Sequence, residues 1–170
     1  MFLRAYPPAH MKFVPFALLF IFSATFFSLW IMDRPRQYLL WFSLSFLAFA
    51  SAALSQLLIP LGSGINTIAS AALYTSGALL FGKGVLSRSG KRLGQLFKLS
   101  ALTVIVGLVG YFFYIDPNLL ARIYVLNLGL ACIFLFTGWI ARFLLRGSRI
   151  DQALFAAVLL IGLHFNRAHC

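Results

Sequence analysis

The sequence contains no glutamate and only three acidic residues, Asp33, Asp116 and Asp151, and charged residues make up 10% of its 170 residues. Soluble domains carry about a quarter charged residues, so this scarcity excludes an ordinary soluble fold. Disorder is also excluded, because disordered chains have few aromatic residues and 16% of this chain is aromatic. A disulfide scaffold is excluded because the two cysteines are Cys132, within an apolar run, and the last residue, Cys170.

Hydrophobic residues make up 62% of the chain and occur in long, unbroken runs. About 20 apolar residues are needed for a helix to cross a bilayer, whereas barrel strands are shorter and alternate in polarity. The sequence therefore predicts an all-α fold: a single domain over residues 1–170, built as a bundle of six transmembrane helices. Asp116-Pro117 predicts the start of the fifth, as an N-cap followed by a proline. The predicted spans are 13–32, 39–59, 65–86, 99–115, 119–141 and 152–170.

Positive charge is concentrated in alternate connections between the predicted spans. The chain has 14 Lys and Arg and a net charge of +11. The connections after the first, third and fifth spans contain Arg34, Arg36, Lys83, Arg88, Lys91, Arg92, Lys98, Arg142, Arg146 and Arg149. The opposite side contains Arg4, Lys12, Arg122 and Arg167. The positive-inside rule thus predicts a membrane protein with its N-terminus outside and its basic connections in the cytoplasm. Its basic side meets anionic lipid headgroups in the bilayer, and we expect no binding to nucleic acid.

The last predicted span is short. Between Asp151 and Arg167 lie 15 uncharged residues, and the chain becomes polar over residues 166–170. Six spans also leave both termini outside, whereas a seventh would return the chain to the cytoplasm. We therefore expect the last helix to be truncated and the chain to be part of a longer product, through a domain cut or a shifted reading frame.

Histidines and carboxylates are too few and too scattered to suggest catalysis. A haem site within the bilayer needs opposed histidines, but His10, His164 and His169 lie near the two ends of the chain. Three aspartates in separate connections do not form a metal site. Gly62-Ser63-Gly64 is similar to the nucleophile turn of intramembrane serine proteases, but Leu61 stands where those proteases have glycine, which favours a simple turn. We expect no enzyme activity, no cofactor and no metal.

Polar residues near the outer ends of the spans predict a ligand pocket. An arginine or an amide at that depth can face a shallow pocket, and tyrosines can supply its apolar wall. The alternative is that Arg122 extends to lipid headgroups while the amides bond between helices. The candidate residues for a small polar or amphipathic ligand are Gln56, Asn66, Tyr111, Tyr114, Arg122, Tyr124 and Asn127.

Small residues four apart predict close packing of the second and third helices. The pairs with this spacing are Ala48 and Ala52, Ser51 and Ser55, and Ala72 and Ser76.

Two stretches carry a resemblance to a known family. Tyr111-Phe-Phe-Tyr-Ile-Asp-Pro-Asn-Leu-Leu-Ala-Arg-Ile-Tyr-Val-Leu-Asn127 and Ala72-Leu-Tyr-Thr-Ser-Gly-Ala-Leu-Leu-Phe-Gly-Lys-Gly-Val-Leu86 are similar to the N-terminal multi-span sensor region of bacterial GGDEF diguanylate cyclases. In that family the membrane region precedes a cytoplasmic cyclase that joins two GTP molecules into cyclic di-GMP. The resemblance implies a sensory or anchoring region that lies in a bacterial inner membrane and belongs to a homodimer. A chain without glutamate cannot contain the GGDEF motif itself.

The alternative function is a small membrane transporter or a channel subunit. Such a protein should have charged or polar residues, or broken helices, near the bilayer midplane. The centres of the predicted spans are nearly all Leu, Phe, Ala, Val and Ile.

Overall fold

The long apolar runs of the sequence form helices. The computed structural model describes residues 13–58, 63–142, 144 and 149–167. Within these residues the chain forms six helices: α1 (Val14–Met32), α2 (Gln37–Leu58), α3 (Gly64–Arg88), α4 (Gln95–Tyr114), α5 (Leu119–Ala141) and α6 (Arg149–Arg167). The predicted all-α, six-helix fold is confirmed, and α5 begins and ends at the predicted residues.

Five of the six helices, α1 to α5, are long and apolar enough to cross a membrane. The chain is accordingly a multi-pass helical membrane protein. Among the described residues, α6 does not meet that standard, because Arg149, Asp151 and Gln152 lie in its first turn and His164 lies near its end. The segment predicted as a sixth span therefore forms a helix, but one of mixed polarity that does not meet the standard for crossing a membrane.

Several helix ends differ from their predicted positions. α4 begins at Gln95 rather than at Leu99, and α6 begins at Arg149 rather than at Gln152, because both helices have polar first turns that hydropathy leaves out. The N-cap of α5 is Asn118, not Asp116, and its side chain accepts a hydrogen bond of 3.1 Å from the backbone N–H of Ala121. The predicted span ends at residues 59 and 168–170, and residues 60–62 of the predicted turn, lie outside the described residues.

α3 is the central helix of the bundle. It packs against α2, α4 and α5, and 44% of its apolar stretch is buried, the largest share among the five candidate spans. α1 packs on α2, where Ser23 and Ser43 each donate a hydrogen bond of 2.9 Å to the other's carbonyl oxygen. These paired hydrogen bonds satisfy two hydroxyls that would otherwise lie in an apolar environment.

Two glycines of α3 allow α2 to approach closely. A Cβ atom at Gly77 would lie 3.0 Å from the ring of Phe49, and one at Gly84 would lie 3.0 Å from the ring of Phe42. Between the two rings, Ser45 donates a hydrogen bond of 2.8 Å to the carbonyl oxygen of Gly77. The aromatic rings of α2 thus occupy the space that side chains on α3 would need.

The predicted close packing of α2 and α3 is confirmed, but most of the small residues four apart that suggested it do not make the contact. Of the six residues in those pairs only Ala52 is buried, and the other five are half-buried. The reason is the rotation of α2 about its own axis. The face of α2 that contacts α3 carries Phe42, Ser45, Phe49 and Ala52, which follow one another at steps of three, four and three residues. A repeat within one helix shows that two helices can approach, but not which face does so.

The arginine at the end of α3 connects three helices. Arg88 forms an ion pair of 2.5 Å with Asp151 at the start of α6, and its guanidinium lies 5.3 Å from the ring centre of Tyr38 at the start of α2. We call this end of the bundle, with residues 33–38, 83–98 and 149–151, the basic end. The opposite end contains the end of α2 and the starts of α3 and α5.

Replacing Gly77 with leucine should lower the free energy of unfolding by about 1–3 kcal/mol, the usual cost of overpacking a tight contact. The added side chain collides with Phe49, so α2 must move away from α3. Gly107→Leu on α4 is the matched control, since nothing lies within 4 Å of a Cβ there. Unfolding by titration with sodium dodecyl sulfate measures both variants. An equal loss in the two would contradict the packing described here.

Candidate functional site

A cleft lined by both polar and apolar side chains lies at the end of the bundle opposite the basic end. Its volume is about 510 Å³, and helices α2, α3, α4 and α5 form its walls. We call it the Arg122 cleft, after the one charged residue in its lining. The lining residues are Gln56, Asn66, Thr67, Ser70, Ala71, Val109, Leu119, Arg122, Ile123 and Leu126.

The first turns of α3 supply the polar floor of the Arg122 cleft. Ser63 is the N-cap of α3: its hydroxyl accepts a hydrogen bond of 3.3 Å from the backbone N–H of Asn66. Ser70, one turn further on, donates a hydrogen bond of 2.7 Å to the carbonyl oxygen of Asn66. The side chain of Asn66 is 2% exposed. The capping role of Ser63 agrees with the interpretation of this segment as a turn rather than as a nucleophile.

Arg122 enters the cleft from the first turn of α5, which the N-cap Asn118 fixes. Its guanidinium carbon lies 4.9 Å from the ring centre of Phe113 on α4, a cation–π contact. Its Nε atom is buried and donates no hydrogen bond within the part of the chain that the structure describes. A buried N–H without an acceptor is costly, and a bound oxygen acceptor would remove that cost.

Three of the seven candidate residues, Gln56, Asn66 and Arg122, meet in the Arg122 cleft. None of the three candidate tyrosines lies in its lining: Tyr111, Tyr114 and Tyr124 are exposed on the outside of α4 and α5, and the ring of Tyr114 also lies against Gly64. Asn127 lies in the wall of another cavity. It follows Arg122 by five residues, which is about 140° around a helix, so the two side chains face different neighbours.

Sequence reasoning missed Thr67 and Ser70, the two hydroxyl residues of the cleft. Ser70 follows Asn66 by four residues and therefore shares its helix face, because residues at steps of three and four lie on one face of a helix. Thr67 has this spacing to Ser63 and Ser70 instead, and it donates a hydrogen bond of 3.3 Å to the carbonyl oxygen of Ser63. A search for hydroxyls in register with the buried amide would have found Ser70, and the same search from Ser63 would have found Thr67.

The second cavity is an apolar groove of about 610 Å³ whose walls come from α1, α2, α3, α5 and α6. Tyr74 and Asn127 are the polar residues in its lining, and the rest are apolar. Phe81 and Phe134 meet in its wall at 5.8 Å between ring centres. The full lining is Leu19, Phe46, Phe49, Tyr74, Phe81, Leu126, Asn127, Leu130, Phe134, Ile161 and Phe165.

No group of three or more His, Cys, Asp or Glu that could hold a metal ion occurs among the described residues. His164 lies beside Phe165 on α6 and is exposed at the surface of the bundle. His10 and His169 lie outside the described residues.

The fold and the cleft thus define a multi-pass helical membrane protein with a polar cleft, containing one arginine, at one end of its bundle. No family model matches the chain, and no curated protein and no solved structure matches it either.

A cysteine at Thr67 should react with a charged, water-soluble maleimide several-fold faster than a cysteine at Thr103. Thr67 lies in the polar cleft, whereas Thr103 is exposed on the apolar surface of α4, where lipid excludes water and the thiolate. Both variants are made in a chain in which serine replaces Cys132 and Cys170, and labelling is followed in lipid nanodiscs. Equal labelling would show that the cleft contains no water.

Proposed function

We propose that the chain is the membrane-embedded sensory region of a signalling protein of the diguanylate cyclase type. In this proposal it lies in a bacterial inner membrane with its N-terminus outside, and the Arg122 cleft opens on the outer side as the ligand site. The observation that carries the proposal is the half-buried Arg122, which shares a cleft with a buried amide and whose Nε–H has no acceptor among the described residues.

The chemistry of the Arg122 cleft favours a small amphipathic anion, such as a carboxylate with an apolar tail. A guanidinium donates two parallel hydrogen bonds to a carboxylate, and the amide of Gln56 lies in the same cleft. The exposed side chains of Leu119 and Ile123 form an apolar rim beside these groups. A ligand with both parts gains hydrogen bonds and buries apolar surface in one step.

Binding at the cleft changes the balance between packing states of α3 and α5. Asn66 lies on α3 and Arg122 on α5, so one ligand that contacts both favours one arrangement of the two helices. Further along the same pair, Gly82 of α3 lies against Thr137 of α5, so tightly that a Cβ on the glycine would be 2.7 Å from the threonine hydroxyl. A shift at the outer end is therefore transmitted through a close contact to the basic end.

The link to a cyclase is supported by the resemblance of residues 72–86 and 111–127 to the sensor regions of that family. The second of these stretches includes Arg122, and both contribute to α3, α4 and α5, the helices that surround the cleft. The homodimer is part of the same proposal, because cyclases of this type act as paired domains.

The alternative of a transporter or channel is less well supported by the interior of the bundle. In the described part of the chain, the buried polar side chains are hydroxyls and one amide, and none is charged. They are Ser23, Ser43, Ser45, Asn66, Ser70, Thr75 and Thr137. Paths for ions through a membrane generally carry ionisable groups, which these residues do not supply.

Thiol labelling in intact cells tests the orientation. A cysteine at Asp116, in the exposed connection between α4 and α5, should react with a membrane-impermeant reagent. A cysteine at Ser89, at the basic end, should react only after the cells are broken, because the positive-inside rule places that end in the cytoplasm. Labelling of the Ser89 position in intact cells would overturn the proposed orientation.

A reporter fusion tests the sensory role. The chain is fused to a GGDEF cyclase domain, and a fluorescent sensor reports cyclic di-GMP in the cell. Arg122→Ala should change the output, because it removes the guanidinium from the ligand site, while the amount of fusion in the membrane stays the same. Leu120→Ala is the control: its side chain is 67% exposed and lies two residues from Arg122. Unchanged output in Arg122→Ala and in Asn66→Ala would leave only an anchoring role.

A further inference from the structure

A second polar pocket lies at the basic end, about as large as the Arg122 cleft. Its volume is about 550 Å³, and it lies where α2, α3, α4 and the connection between α3 and α4 meet. We call it the lysine pocket. It is lined by Gln37, Trp41, Lys83, Ser87, Gly90, Lys91, Arg92, Leu93, Gln95 and Lys98.

Four cations and no carboxylate line the lysine pocket. Lys83 repels both Lys98 and Arg92, so the cluster is unfavourable as long as no anion neutralises it. The chain itself has few carboxylates to offer. Two of its three aspartates form ion pairs elsewhere, with Arg36 and with Arg88, and the third, Asp116, lies at the opposite end of the bundle.

Lys83 and Lys98 are positioned by contacts with the helices around them. The ammonium of Lys83 lies 3.2 Å from the ring centre of Trp41, a close cation–π contact between α3 and α2. This contact holds the ammonium against the wall of the pocket. Lys98, on the first turn of α4, is half-buried on the other side. α4 begins at Gln95 in the same lining, and the positive end of a helix dipole also favours an anion.

The connection that carries Lys91 and Arg92 has a fixed backbone. α3 ends in a Schellman motif: Lys91 donates a backbone hydrogen bond of 2.9 Å to Leu86, Gly90 donates one of 3.3 Å to Ser87, and Gly90 has a φ of 68°. Leu93 then enters the core, where it is 6% exposed. The chain is thus anchored on both sides of Arg92.

From this geometry we propose that the lysine pocket binds the phosphate group of an anionic lipid headgroup, between Lys83, Arg92 and Lys98. A lipid is favoured over a soluble phosphate because the apolar surface of α4 continues from the pocket: Leu96 is 84% exposed and Leu99 is 61% exposed, where acyl chains would lie. Trp41 in the pocket wall is a residue type typical of the membrane interface. The bound lipid joins α2, α3 and α4, and this role does not depend on the proposed sensory function.

Native mass spectrometry of the full chain in detergent tests the proposal. The probes are phosphatidylglycerol, phosphatidylcholine with the same acyl chains, and inorganic phosphate. The variants are Arg92→Gln, Lys98→Gln and Lys83→Gln, and Arg34→Gln is the matched control, an exposed arginine at the same end but outside the pocket. Arg92 is exposed on the connection, so its replacement leaves the core intact.

The wild-type protein should retain one phosphatidylglycerol more strongly than phosphatidylcholine. Each pocket variant should lower that retention about five-fold, the effect of one basic residue near a lipid surface, while Arg34→Gln leaves it nearly unchanged. An equal loss in Arg34→Gln, or equal retention of phosphatidylcholine, would overturn the site. If inorganic phosphate displaces phosphatidylglycerol at equal concentration, the lipid assignment is wrong and the anion is soluble phosphate.

Discussion

The close approach of α2 to α3 is the contact on which the remaining structure depends. Between lipid-facing helices there is no hydrophobic driving force, so association relies on dispersion and on hydrogen bonds between helices. Gly77 and Gly84 provide both: the absence of side chains admits the rings of Phe49 and Phe42, and it lets Ser45 reach the carbonyl oxygen of Gly77. With α2 seated in this way, α3 becomes the helix against which α4 and α5 pack.

Both polar pockets follow from the central position of α3. Its first turns carry Asn66 into the Arg122 cleft, and its last turns carry Lys83 into the lysine pocket, so one helix contributes to a site at each end of the bundle. The middle of α3 is fixed by contacts with α2 and α5, where a Cβ at Gly82 would lie 2.7 Å from the hydroxyl of Thr137. Close packing of this kind fixes the position of α3 relative to α2 and α5.

The hydropathy pattern was enough to predict α1 to α5, because the length of an apolar run and the thickness of a bilayer decide them together. It also predicted α6, whose polar first turn keeps it below the same standard. It did not predict where α4 begins, since Gln95 and Lys98 form a polar first turn that a hydropathy criterion discards. The candidate site was predicted by depth in the membrane. Because they lie at a similar depth, Gln56, Asn66 and Arg122 were predicted to share a pocket with the three tyrosines. Whether a side chain faces a cleft or lipid depends instead on the rotation of its helix, and tertiary packing sets that rotation.

The scarcity of carboxylates explains how the cations of this protein are held. Two of the three aspartates already form ion pairs with Arg36 and Arg88. Two other cations form cation–π contacts with aromatic rings instead: Lys83 with Trp41 and Arg122 with Phe113. A carboxylate would use the N–H groups of its partner, whereas a ring attracts the charge through its face and leaves those donors available. A chain almost without acidic residues can thus fix its cations at both ends of the bundle while keeping their hydrogen-bonding capacity for an anion that comes from outside.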